Sequence, residues 1–122
     1  MDELIQVETV DGRTSFRPGD AIDGTVRWKL PKPPKTIELR LFWSTEGRGD
    51  QDLQVVETVP FESPEAQDQR AFRIRLPEGP YSFSGHLITL HWALEAVAEP
   101  GDEAGSCFIT VSPTGEEIRL DR

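Results

Sequence analysis

Apolar and polar residues alternate with a period of two along most of this chain, in runs bounded by Gly, Pro and Asp. That period sends successive side chains to opposite faces of an extended backbone, so it predicts strands; helical periodicity is nearly absent. The clearest run is 36–44, TIELRLFWS. Ile37, Leu39, Leu41 and Trp43 share one face, Glu38, Arg40 and Ser44 the other, and Phe42 breaks the rule. In 21–30, Ile22, Val26, Trp28 and Leu30 point one way with Gly24 among them, and Asp23, Thr25, Arg27 and Lys29 point the other. In 71–76, Phe72, Ile74 and Leu76 fall inside, and Arg73 and Arg75 outside. The longest run, 86–98, sets Ile88, Leu90, Trp92, Leu94 and Ala96 against Thr89, His91 and Glu95. Runs at 4–10, 52–59 and 105–111 bring the count to about seven strands, the last two with an ambiguous inward face.

The connectors fit this reading. DGR around position 12 is a turn, and RPGD at 17–20 has the Pro-Gly order of a type II turn. PKPPK at 31–35 is a stiff, extended link that neither strand nor helix absorbs. EGRGDQD at 46–52 is a polar hairpin tip, ESPEAQDQ at 62–69 a polar loop with room for one helical turn, and EPGDEAG at 99–105 a further turn-rich loop. About seven strands, each with one apolar face, imply two antiparallel sheets packed face to face: an all-β, immunoglobulin-like sandwich.

Composition narrows the function. The 122 residues suit one domain, and a chain of that size buries about two thirds of its unfolded surface. The 22 acidic against 13 basic side chains give a net charge of −9, which argues against general nucleic-acid binding. No stretch approaches the roughly 18 apolar residues of a membrane span. MDELIQVETV opens with two acids before any apolar run, so no secretory signal is expected and a cytoplasmic location is. The single Cys107 excludes an internal disulfide framework and a multi-cysteine zinc site, and reads as a small strand hydrophobe.

Catalytic chemistry finds little footing. His86 and His91, five apart on one strand, face opposite ways and do not chelate one metal from it. The nucleophile-elbow pattern G-x-S-x-G is absent. Asp50 and Asp52 in one loop, and Glu99, Asp102 and Glu103 in another, lack calcium-loop spacing and read as solvated charges. No catalytic residue, metal site or cofactor is expected.

Charge distribution says more than net charge. Seven acids lie between 46 and 69, whereas Arg27, Lys29, Lys32, Lys35 and Arg40 crowd 26–43 against Glu38. Outward-facing Arg27, Lys29, Arg40, Arg73 and Arg75 form a basic stripe if their strands share a sheet. Such a stripe steers an acidic or phosphorylated peptide. The plainer reading is a solvated face with cross-strand ion pairs to Glu38 or Glu95. A second route is strand addition at an open edge, by a partner or a second copy, with 52–59 the candidate edge.

Two stretches carry a family resemblance. FRPGDAIDGTVRWKL at 16–30 joins an aromatic, a Pro-Gly-Asp turn, Gly24 and an alternating strand; LPEGPYSFSGHLITLHWALEAVAE at 76–99 joins a Pro-rich turn, Tyr81 and Phe83, Gly85 and a long strand with Trp92. In this order they resemble the arrestin fold family, including arrestin-related trafficking adaptors, Vps26 subunits and bacterial sporulation-control relatives. Visual and beta arrestins have two such domains and a regulatory tail; this chain has one domain, so their receptor desensitisation does not carry over. The resemblance implies a sandwich domain over 1–112, a polar tail over 113–122, and a non-catalytic interaction or scaffold module with a protein or peptide partner. In it Tyr81 and Phe83 plug one end of the sandwich. The alternatives are a carbohydrate- or lipid-active sandwich, marked by a concave pocket with convergent acids or histidines, and a structural subunit, marked by a broad apolar patch.

Overall fold

The alternating runs become strands, and the Pro-containing links at 17–20, 31–35 and 77–80 carry the chain from one sheet to the other. A computed structural model describes residues 4–47, 51–85, 87–101 and 103–119. Ten strands occur among them: β1 (Ile5–Thr9), β2 (Ser15–Phe16), β3 (Ala21–Lys29), β4 (Thr36–Gly47), β5 (Leu53–Phe61), β6 (Gln67–Arg75), β7 (Phe83–Ser84), β8 (Ile88–Glu99), β9 (Glu103–Val111) and β10 (Ile118–Arg119). Seven of them have five residues or more, and these are the seven runs of the sequence.

The smaller sheet has the order β1-β3-β6 and is antiparallel throughout. In the larger sheet β5, β4 and β8 lie side by side. The other edge of β8 is shared: β9 pairs with it over Trp92–Ala98, and β7 takes over at Thr89 and Leu90. The far end of β9 pairs with β2, and β10 extends β7. Those two short pairings are parallel, so the larger sheet is mixed where an antiparallel one is expected. Both involve two-residue segments laid beside a sheet end, where no hairpin dictates direction.

The expected inward faces form the core. Ile22, Val26 and Trp28 of β3, Ile37, Leu39 and Leu41 of β4, Phe72 and Ile74 of β6, and Leu90, Trp92, Leu94 and Ala96 of β8 are all buried. Trp43 is half-buried against this cluster. The two buried indoles keep hydrogen bonds: Trp28 Nε1 donates to the Glu65 carbonyl at 2.7 Å and Trp92 Nε1 to the Pro80 carbonyl at 2.8 Å. Gly24 is where two strands and a ring converge; a Cβ there would strike the Glu8 carbonyl oxygen and the Phe72 ring.

Three local expectations change. Ile88 is 47% exposed because it stands opposite Gly47 at the last step of the β4–β8 ladder. Between Tyr81 and Phe83 the inward residue is Ser82, whose Oγ accepts the Val111 amide at 2.9 Å; Tyr81 is exposed and Phe83 half-buried. The 62–69 segment has no helical turn: β6 begins at Gln67 and pairs with Lys29. Its first inward positions are polar because they lie at the sandwich rim, where Arg70 Nη2 meets Asp68 Oδ2 at 2.9 Å. Around position 12 the turn is a single 3₁₀ turn, with Asp11 and Gly12 at positive φ. Beyond β9, Ser112 Oγ donates to the Glu116 carbonyl at 2.6 Å and the chain turns back into β10.

Candidate functional site

Strand pairing decides which of the basic residues meet. Arg27 and Lys29 on β3 and Arg73 and Arg75 on β6 share the outer face of the smaller sheet. Arg40 is on β4, across the PKPPK link, and faces out from the larger sheet. The four on one face are largely partnered. Arg73 Nε lies 3.5 Å from Asp23 Oδ1, and Arg27 reaches Glu8 at 3.7 Å and Gln69 at 3.2 Å. Arg75 donates to the Gly19 carbonyl at 3.0 Å. Lys29 has no ion pair among the described residues. On the other sheet Arg40 Nη2 meets Glu38 Oε1 at 2.5 Å.

Ordinary electrostatics shift two carboxylates. The Arg17 amide holds Asp20 below its usual value; partial desolvation opposes it, and the Arg13 guanidinium adds to the lowering. Arg70, followed by the Gln69 amide, does the same for Asp68. Burial pushes the Cys107 thiol up, the opposite of what a nucleophile needs.

The 52–59 run, the expected edge, becomes β5, whose one ladder neighbour among the described residues is β4. A register shift beside Leu41 and Phe42 marks a bulge in this pair, and Pro60 sits near its end, both features of edge strands. Leu53 and Val55 are 63% and 40% exposed.

The outer face of the larger sheet carries a feature the sequence reading did not single out. Val55 pairs with Phe42, Phe42 with Ala93 and Ala93 with Phe108, so one apolar row crosses four strands. Phe108 is 67% exposed, while Ala93 is buried although it faces outward, forming the floor between two rings. The signal was present in 36–44, where Phe42 occupied a polar position. Beside Phe108 the edge of β8 passes from β9 to β7, opening a cleft of about 400 Å³. Its lining includes Glu46, His91, Glu117, Thr14 and Thr110. His91 Nε2 lies 3.5 Å from Glu46 Oε2, and its ring meets Phe108 edge-on at 6.3 Å.

Among the described residues no group of three or more His, Cys, Asp or Glu is placed to hold a metal ion. No helix among them is long and apolar enough to cross a membrane. His86, Arg48, Asp50 and Asp102 lie outside the described residues.

No family model matches the chain, and no curated protein matches it. Among solved structures, Spo0M, the sporulation control protein from Bacillus subtilis, superposes with a TM-score of 0.59 at 19% identity over 91% of this chain. This chain spans 50% of the Spo0M chain. The alkylpurine DNA glycosylase AlkC of Pseudomonas fluorescens, bound to DNA containing an abasic site analog, matches at a TM-score of 0.41, 10% identity, 92% of this chain and 31% of its own. That score carries no argument about this chain. The likeness to Spo0M establishes the fold, a two-sheet β-sandwich of the arrestin-like, immunoglobulin-like kind.

Proposed function

We propose that this chain is a non-catalytic protein-interaction or scaffold module that accepts a partner strand on the open edge of β5. The observation that carries this is the edge itself: β5 has one ladder neighbour among the described residues, and Leu53 and Val55 stand exposed along it. An added strand would continue the larger sheet, gaining backbone hydrogen bonds and packing beside those two side chains. Pro60 supplies no amide, so the usable edge is 53–59. A second copy of the chain is one such partner. The fold shared with a sporulation control protein is in keeping with a regulatory role.

A second reading keeps the basic face of Arg27, Lys29, Arg73 and Arg75 as a site for an acidic partner, favoured by their common sheet. Arg40 would act separately, from the opposite face. The cleft, with two acids and a histidine, is the feature that favours a carbohydrate- or lipid-active site. Against that, the Glu46 side chain is 65% exposed, a poor setting for acid–base work, which relies on groups tuned by burial or close partners.

A photo-crosslinking residue at Leu53, with a second chain carrying it at Arg73, tests the choice in cells of origin. Edge binding predicts a discrete adduct from Leu53; an adduct from Arg73 alone moves the site to the basic face. No adduct from either would overturn the interaction reading.

A further inference from the structure

We infer that the outer face of the larger sheet is a docking strip for a partner peptide segment that is both apolar and basic, the cleft beside Phe108 receiving its cationic group. This rests on the interaction-module reading but uses the outer face of the sheet, which meets the β5 edge only at Val55.

Solvent-facing positions of a sandwich strand are ordinarily polar. Here Val55, Phe42 and Phe108 break that rule in register, on three strands of one row, with Ala93 between the rings as a low floor. Four adjacent strands at about 4.8 Å spacing make the row about 14 Å wide, a width that four or five extended residues cross. Scattered exposed apolar residues need no explanation, but an aligned row that includes two aromatics does.

Charge selects the occupant. The row ends at a cleft whose described lining holds Glu46, Glu117 and His91 and neither Lys nor Arg. Arg40, the next outward position on β4 after Phe42, is engaged by Glu38 and stands opposite Glu95. A lysine or arginine entering the cleft would meet two carboxylates and the exposed Phe108 ring, a cation–π partner. A second copy brings the same acidic fringe and a further net charge of −9, so self-docking on this face is repelled. Anionic lipid and nucleic acid are repelled likewise.

The test is a titration of the isotope-labelled whole chain, followed by amide shifts, with three capped octapeptides. One has two lysines followed by alternating valine and serine. In the second, glutamate replaces lysine; in the third, glycine replaces valine. The Lys–Val peptide should bind at least about tenfold tighter than either and shift the amides of Glu46, Phe42, Ala93 and Phe108. Phe108→Ser, and separately the double variant Glu46→Gln with Glu117→Gln, should each weaken it by about tenfold or more, while Glu78→Gln, at an exposed loop position beside Gly19, stays within about twofold. Well-dispersed spectra of the free variants establish that they fold. Equal binding of the Lys and Glu peptides, shifts confined to β3 and β6, or no shift at millimolar peptide would overturn the inference. Shifts confined to β5 would also overturn it while leaving the edge reading intact; silence here together with no Leu53 adduct would remove both.

Discussion

Gly105 on β9 lies directly against the carbonyl oxygen of Ile5 on β1, with no room for a Cβ between them. The contact joins the two sheets on the side away from β5, and Ile5 is fully buried there. Gly105→Ala forces backbone apart and should cost about 1–3 kcal/mol, the usual range for overpacking. Thermal unfolding reads this as a lowered Tm. Gly79→Ala, where nothing lies within 4 Å, is the control and should leave Tm nearly unchanged.

The two buried indoles each hold a loop to the core through one hydrogen bond. Trp28→Phe strands the Glu65 carbonyl and Trp92→Phe the Pro80 carbonyl. Each change should cost about 1–3 kcal/mol, the loss of a packed ring edge plus one unmet acceptor. Urea denaturation measures both, and a cost near zero would mean that these bonds do not hold the loops.

Acid stability follows from Asp20 and Asp68. Both carboxyls sit below the ordinary value of 3.8 in the folded chain. The folded state therefore binds protons less readily than the unfolded one, and the contribution is present above that value. It fades as pH falls through the lower folded values. Asp68→Asn and Asp20→Asn should each flatten the stability profile below about pH 4 while lowering stability slightly at neutral pH. An unaltered profile in both variants would contradict the assignment.

Inward and outward positions on adjacent strands separate stability from binding. Leu41→Ala on the inner face should cost about 2–5 kcal/mol. Phe108→Ser on the outer face should change stability by no more than about 0.5 kcal/mol. Denaturant unfolding of the two variants distinguishes a core position from a surface aromatic, and a large loss from Phe108→Ser would make that ring structural.

The core was legible because period two is a local property: Ile37, Leu39 and Leu41 needed only their own strand to reveal their face. Partnership between strands is non-local, and there the sequence was silent. Nothing in 26–43 indicates that Arg40 leaves the sheet of Arg27 and Lys29, because that depends on which way the PKPPK link carries the chain. The row through Phe42, Ala93 and Phe108 depends on the registers of three ladders, and only the misplaced Phe42 hinted at it. The polar start of β6 read as loop because Asp68 and Arg70 face a rim, where burial no longer selects apolar residues.

Hydrogen–deuterium exchange of the chain, free and in complex with the protein crosslinked through Leu53, tests the edge account most directly. Alternate amides of an edge strand lack ladder partners, so strand addition should slow exchange within 53–59 by about an order of magnitude or more. Protection confined to β3 and β6, or β5 amides that exchange equally fast in both states, would contradict it.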